Sequence, residues 1–276
     1  MIRIEVLSPG ALTTVRDLGR TGLAHLGISP GGAADTVALR LANRLVGNPE
    51  DAPGLEMTLQ GGRFRFESEA TIALTGGEFD ANIPLYTTTV VPARFELRVA
   101  GSRAGVRCYL AVNGRLSGTV KRGAILTVEN SRPAPLLRCE AYPYRHTLRV
   151  TAGPDTDAFP AEALNQLLGV EWTVSDFSNR QGVRLTNGPA ISGGVGLQPS
   201  EGVALGAIQV PPDGMPVILF VDSQTTGGYP VLANVASVDL PSVAQLRPRD
   251  RVRFELISFR EARHLLLEQE ATIFGD

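Results

Sequence analysis

At 276 residues and a formal charge of −2, the chain has room for one large domain or two ordinary ones and carries no net field toward nucleic acid or anionic membrane. Lys121 is the only lysine and Cys108 and Cys139 the only cysteines, which leaves one residue for Schiff-base chemistry and too few thiols for a disulfide framework. No G-x-x-x-x-G-K-[ST] loop, no 18-residue apolar window and no charged-then-apolar leader is present, so the expectation is a soluble cytoplasmic protein with neither nucleic-acid nor membrane partner.

Ile2 to Leu7 alternates apolar and polar residues as a half-buried strand does. After Ser8-Pro9-Gly10, the stretch Thr13-Thr14-Val-Arg16-Asp17-Leu-Gly19-Arg20-Thr-Gly22 reads as a loop of hydroxyls, two arginines and a carboxylate. Arginine forks suit carboxylates and phosphates. Asp17 either neutralises Arg16 and Arg20 locally or shares a binding site with them. His25, in apolar company, reads as a structural residue rather than a base. Asp35 is placed to cap a helix over Thr36 to Val46, which Gly47-Asn48-Pro49 ends.

From Leu55 to Leu126 short apolar runs alternate with Gly-Gly, Pro and Asn-Gly turns, as in a barrel or sandwich. Cys108 lies inside one such run and reads as a small core residue. Proline-rich connections at Ser131 to Pro135 and Tyr142-Pro-Tyr-Arg145 suggest a boundary near 140–147. The resulting domains are 1–144 and 145–276.

The second half offers a strand at Leu148 to Val150, a helix over Ala161 to Leu168, and a strand at Val217 to Val221. A short helix at Asp239 to Leu246, a strand at Arg251 to Ile257 and an amphipathic helix from Phe259 follow, with His264 on its exposed side. Three scattered histidines and two distant cysteines supply no paired ligand spacing, so no metal site is expected.

The halves can be laid on each other. Asp35 and Asn43 are spaced as Asp157 and Asn165 are, and each asparagine precedes x-Leu-x-Gly. Gly62-Arg-Phe-Arg-Phe66 matches Gly182-Val-Arg-Leu185, and the run from Gly105 to Asn113 matches Gly214 to Asp222. The shared order points to two copies of one helix-plus-barrel unit. The second copy has elaborated its loop into Asp222-Ser-Gln224-Thr225-Thr226-Gly227-Gly228-Tyr229-Pro230, within a stretch beginning at Gln198. Ordering two adjacent glycines is entropically costly, and they let a ligand approach the main chain. Gln224, Thr225, Thr226 and Tyr229 surround that approach with hydrogen-bonding groups. The expectation is a crevice between the two modules, with this loop facing the Thr13/Thr14/Arg16 segment.

Several motifs carry a resemblance: Thr13-Thr-Val-Arg-Asp-Leu-Gly-Arg20, Ala42-Asn-Arg-Leu-Val-Gly-Asn48, Pro199-Ser-Glu-Gly202, Gly206-Ala-Ile-Gln-Val-Pro211 and Gln224-Thr-Thr-Gly-Gly-Tyr-Pro230. Together they resemble the biotin-dependent carboxyltransferase / allophanate hydrolase subunit 2 family, whose free-standing members include KipA and the C subunit of the bacterial ATP-dependent 5-oxoprolinase. The resemblance covers nearly the whole chain. It implies a mainly β protein with short helices, built as two tandem cyclophilin-like β-barrel domains, in agreement with the internal repeat.

For function the resemblance implies three readings. The favoured one is a component of 5-oxoprolinase, opening 5-oxo-L-proline to L-glutamate together with a KipI-like B subunit and a LamB/YcsF-like A subunit. ATP would be used by the assembled complex, at a site not located in this chain. The alternatives are carboxyl transfer from carboxybiotin, as in urea carboxylase, or a non-enzymatic KipI antagonist. Asp17, Glu201 and Asp222 are the candidate acid–base groups. Thr13, Thr14, Arg16, Arg20, Arg180, Gln224, Thr225, Thr226, Gly227, Gly228 and Tyr229 are the candidate substrate contacts, with glycine amides and threonine hydroxyls steadying oxyanion charge. Ser178-Asn-Arg-Gln-Gly182 departs from a family pattern of Ser-Asn-Arg-Met-Gly, so Gln181 either touches substrate or replaces a packing methionine.

Overall fold

Ile2, Ile4 and Val6 are buried while Arg3 is exposed and Glu5 half-buried, so the N-terminal alternation becomes the strand β1 (Ile2–Ser8) of a first unit. The computed structural model of the protein describes residues 1–134, 136–192 and 199–275; Gln198 and Pro135, named above, lie outside them. The chain divides into one unit of Met1–Gly19 with Asp35–Pro143 and a second of Arg20–Ala34 with Tyr144–Asp276.

The first unit continues with β2 (Leu12–Arg16), α1 (Thr36–Leu45), β3 (Gly54–Thr58), β4 (Arg63–Phe66), β5 (Ala70–Ala81) and β6 (Thr89–Val91). Then come β7 (Glu96–Val112), β8 (Arg115–Ser117) and β9 (Ile125–Glu129). Among the described residues the sheet runs β2-β3-β7-β4-β1-β9-β8, with β5 between β7 and β6. The long β7 makes this possible. Its first half pairs with β4, and its second half sets Leu110 between Leu55 of β3 and Leu74 of β5. Ile4, Phe64, Phe66, Leu97 and Leu110, all at 0% exposure, fill the core. Asp35 caps α1 by accepting the N–H of Ala38 at 2.9 Å, as its position predicts.

The second unit comprises β10 (Thr147–Ala152), α2 (Ala163–Leu168), β11 (Trp172–Val174), β12 (Gly182–Thr186), β13 (Glu201–Gly202), β14 (Ala207–Gln209) and β15 (Val217–Leu219). It ends with β16 (Thr226–Gly227), β17 (Val231–Val235), α3 (Leu240–Gln245), β18 (Arg251–Leu256) and α4 (Phe259–Phe274). Strands β10-β17-β14-β15-β12-β11-β18 close into a barrel, the seam being the parallel pair β10/β18. Trp172 is fully buried, and its indole N–H donates to Leu167 O at 2.9 Å, so the ring brings no unsatisfied donor into the core.

The protein is mainly β, with two closed or nearly closed barrels that fit a cyclophilin-like description. No helix among the described residues is long and apolar enough to cross a membrane. Three local expectations change. Thr13 to Arg16 is strand rather than loop: its threonines and valine pair with Gly54–Thr58 from across α1. The matched spacing of Asp35/Asn43 and Asp157/Asn165 does not carry a matched role: the N-cap of α2 is Glu162, without a side-chain bond, and Asn165 is exposed where Asn43 is buried. The segment Arg20–Ala34, assigned to the first domain from sequence, belongs to the second unit. Gly31 N–H donates to Val221 O at 2.8 Å, Ser29 Oγ donates to Ser223 O, and Ala34 joins the second core.

Candidate functional site

The second barrel presents a row of side chains across three strands. Arg184 of β12 stands opposite Val217 of β15, which stands opposite Gln209 of β14. Val183 and Leu185 are buried in the barrel, so the strand alternation turns Arg184 outward. A cavity of about 410 Å³ lies over this row, and Asn179, Gln181, Asp213, Gln224 and Tyr229 complete its polar lining. Four carboxamides therefore meet one guanidinium and one carboxylate. Arg184 has no ion-pair partner among the described residues.

Gln209 anchors the cavity. It is 2% exposed, and its Nε2 donates to Tyr229 O at 2.8 Å. Its Oε1 accepts from Gln224 Nε2 at 3.4 Å, a long bond. Gly227 presses on the same amide: a Cβ there would lie 2.9 Å from Gln209 Nε2. That glycine is needed for close approach, with the amide rather than a ligand beneath it. On the other wall, Asn179 Oδ1 accepts the N–H of Gln181 at 2.7 Å and holds a tight turn. Gln181 is exposed on that turn and lines the cavity, where it presents a carboxamide.

The polar loop and the Pro-Ser-Glu-Gly segment meet. Glu201 pairs with Gly227 and Gly202 with Thr226 in the short β13/β16 ladder, and Val203 N–H donates to Thr225 O at 3.0 Å. Glu201 and Thr226 are exposed on this arm, while Thr225 and Gly228 are half-buried. Asp222 and Arg180 are committed to each other. Arg180 Nε donates to Asp222 Oδ2 at 2.7 Å and Nη2 to Oδ1 at 3.1 Å, while Nη2 also reaches Gly32 O at 2.6 Å. Arg180 thus fastens the Arg20–Ala34 segment to the barrel. Arg20 is exposed; a Cβ on Gly31 would sit 3.5 Å from its Nη2 and 3.9 Å from Asp222 Oδ1.

The remaining candidates lie in the first unit. Thr13 is buried, its hydroxyl donating to Pro9 O. Thr14 accepts from Arg16 Nε at 3.0 Å, and exposed Asp17 accepts the N–H of Gly19 at 2.8 Å. Among the described residues no three His, Cys, Asp or Glu side chains gather as metal ligands would. The sequence alone does not mark Arg184 and Gln209 as site residues, although Gly182-Val-Arg-Leu185 and Gly206-Ala-Ile-Gln-Val-Pro211 stand among its motifs. Alternation puts Arg184 on the outer face; only strand register brings Gln209 to it.

The model of the family described as carboxyltransferase domain, subdomain A and B, matches residues 26–124 and 118–256. The C subunit of the Haemophilus influenzae 5-oxoprolinase is 32% identical over 298 residues, which cover 97% of this chain and 95% of that one. The urea amidolyase of Lachancea kluyveri is 33% identical over 328 residues, covering 98% of this chain and 18% of its own length. The crystal structure of the K. lactis urea amidolyase matches with a TM-score of 0.88 at 31% identity, over 99% of this chain and 20% of that one. The chain therefore spans under a quarter of the urea amidolyases it resembles and nearly all of the oxoprolinase component.

Proposed function

The chain belongs to the family of carboxyltransferase domains with subdomains A and B, and from that premise we propose that it is one component of an ATP-dependent 5-oxoprolinase. In this reading it acts with KipI-like and LamB/YcsF-like subunits to open 5-oxo-L-proline to L-glutamate. The observation that carries the proposal is the end-to-end correspondence with the 5-oxoprolinase C subunit, at 97% of one chain and 95% of the other.

The cavity of the second unit supports it chemically. The substrate is a planar lactam with one carboxylate. Arg184 is the cation for that carboxylate, since its fork donates two parallel bonds. The exposed carboxamides of Gln181 and Gln224 supply both donors and acceptors for the lactam N–H and C=O, with buried Gln209 holding Gln224. Ring opening adds water across the C–N bond, with hydroxyl to the carbonyl carbon and a proton to the departing nitrogen. Glu201, exposed opposite Gly227 on the β13/β16 arm, is the proposed proton carrier, taking a proton from the attacking water and passing it to the nitrogen. Thr226 Oγ1, opposite Gly202 on the same arm, is the proposed donor to developing oxyanion charge. Asp222 braces Arg180 rather than moving protons in this scheme.

The same lining does not suit a nucleotide. One guanidinium among carboxamides, with Asp213 on the wall, matches a monoanion and not a triphosphate carrying roughly four negative charges. We therefore place ATP, and activation of the lactam, with the partner subunits. A second reading, carboxyl transfer, is favoured by the TM-score of 0.88 to a urea amidolyase. There the neutral ureido ring of biotin would meet the same carboxamides.

The deciding experiment is ATP-dependent glutamate release from 5-oxoproline by the chain assembled with its partner subunits. Arg184→Ala and Thr226→Ala should each lower kcat/KM at least about tenfold. Arg16→Ala and Asp17→Asn test the first-unit segment in the same assay. Turnover unchanged by Arg184→Ala and Thr226→Ala together would refute this site. Biotin-dependent carboxylation in place of glutamate release would establish the second reading.

A further inference from the structure

The first unit contains a cavity of its own, also about 410 Å³, between the end of α1 and the turn joining β7 to β8. Its floor is fixed by asparagines. Asn48 Nδ2 donates to Asn43 Oδ1 at 3.1 Å and Val112 O at 3.0 Å, while Asn48 Oδ1 accepts the N–H of Gly114 at 2.7 Å. Asn113 donates to Val46 O and accepts both Ser131 Oγ at 2.8 Å and the N–H of Arg132 at 2.7 Å. Gly114 takes φ +115°, and a Cβ there would run into Glu129 O, so the turn at the cavity mouth admits only glycine. The frame is rigid before any ligand arrives.

The charged groups on this frame form no ion pairs among the described residues. Elsewhere in the unit Arg3, Arg40, Arg63, Arg65 and Arg98 each hold a carboxylate within 3.2 Å. Arg115 and Arg132 line the cavity with no ion-pair partner among the described residues, although Glu129 is the cross-strand neighbour of Arg115. Asp17 and Asp51 line the same cavity and likewise hold no arginine. Two cations and two anions that share one cavity without neutralising each other fit a ligand bearing both signs.

We propose that this cavity binds a free α-amino acid, its carboxylate on Arg115 and Arg132 and its ammonium on Asp51 and Asp17. Paired guanidiniums select carboxylates, and paired carboxylates accept the three donors of an ammonium. The volume lies within the range of small-molecule sites. The site does not depend on the lactam reaction proposed above, and none of its residues belongs to the cavity of the second unit.

Isothermal titration of the purified full chain with glycine, L-alanine and L-glutamine tests the assignment. All three should bind, because the site reads the groups they share, and N-acetyl-L-alanine should bind at least tenfold more weakly. Asp51→Asn should weaken L-alanine at least tenfold and the double change Arg115→Ala, Arg132→Ala should abolish it. These unpaired side chains should leave the melting temperature unchanged, which separates lost binding from lost folding. Binding of N-acetyl-L-alanine or inorganic phosphate as tight as that of L-alanine would show a plain anion site and overturn the proposal. So would no binding by any amino acid, or binding untouched by the substitutions.

Discussion

Tyr109 donates its phenolic hydrogen to Glu56 Oε2 at 2.8 Å while receiving the N–H of Asp35 at 2.8 Å, and all three residues are buried in the first unit. Burial, followed by the charges of Glu56 and Asp35, pushes the Tyr109 hydroxyl well above its ordinary 10.0. The neutral form is therefore favoured by folding. Below pH 10 that contribution is fully present; above it the unfolded chain ionises first, and stability falls as pH rises. Burial likewise raises the Cys108 thiol from its ordinary 9.0, so its loss begins nearer pH 9.

Urea unfolding at pH 8 and pH 10.5 should show this alkaline loss. Tyr109→Phe should remove the part that begins near pH 10. At pH 8 it should cost about 1–3 kcal/mol, because the Glu56 carboxylate and the Asp35 N–H each lose a partner. Cys108→Ala should reduce the earlier part, to which the Cys139 thiol, also raised by burial, still contributes, and leave the later one.

Asp222→Asn should loosen the Arg20–Ala34 segment. The change removes charge from a bidentate pair whose arginine also holds Gly32 O. We expect a loss of about 1–3 kcal/mol, the smaller end reflecting an Asp222 side chain 35% exposed. Limited proteolysis should show faster cleavage between residues 20 and 34 than in the wild type.

Gly188→Ala should destabilise the second barrel by about 1–3 kcal/mol. A Cβ at that position would run into the six-membered ring of Trp172, which is fully buried and cannot swing aside. The expected readout is a lower melting temperature and a shift in Trp172 fluorescence.

Gln181→Met replaces a carboxamide of the cavity wall with an apolar thioether. In the assembled complex it should change KM by about threefold to tenfold with kcat nearly constant, since it alters contacts common to ground and transition states. An unchanged KM would assign Gln181 to the turn alone.

The barrels are legible where local pattern decides the structure. β1 shows its alternation plainly, and α1 shows both its cap at Asp35 and its stop at Gly47. β2 is not legible, because Thr13-Thr-Val-Arg16 becomes strand only by pairing with Gly54–Thr58, about forty residues onward. The candidate site divides in the same way. The Gln224–Tyr229 loop stands out by composition, but its ladder with Glu201 and the Arg184–Val217–Gln209 row are products of register. Asp222 shows the limit of reading chemistry from residue type. A carboxylate in a polar loop suggests an acid, yet an arginine forty-two positions earlier holds it in place.

The excursion of Arg20–Ala34 into the second unit bears on how the protein can be dissected. A cut after Pro143 would yield an N-terminal fragment trailing a strand-free tether with no home, and a C-terminal fragment missing a wall it did not encode. Expressed separately, the latter should need those fifteen residues added back as a peptide before it behaves as a native half.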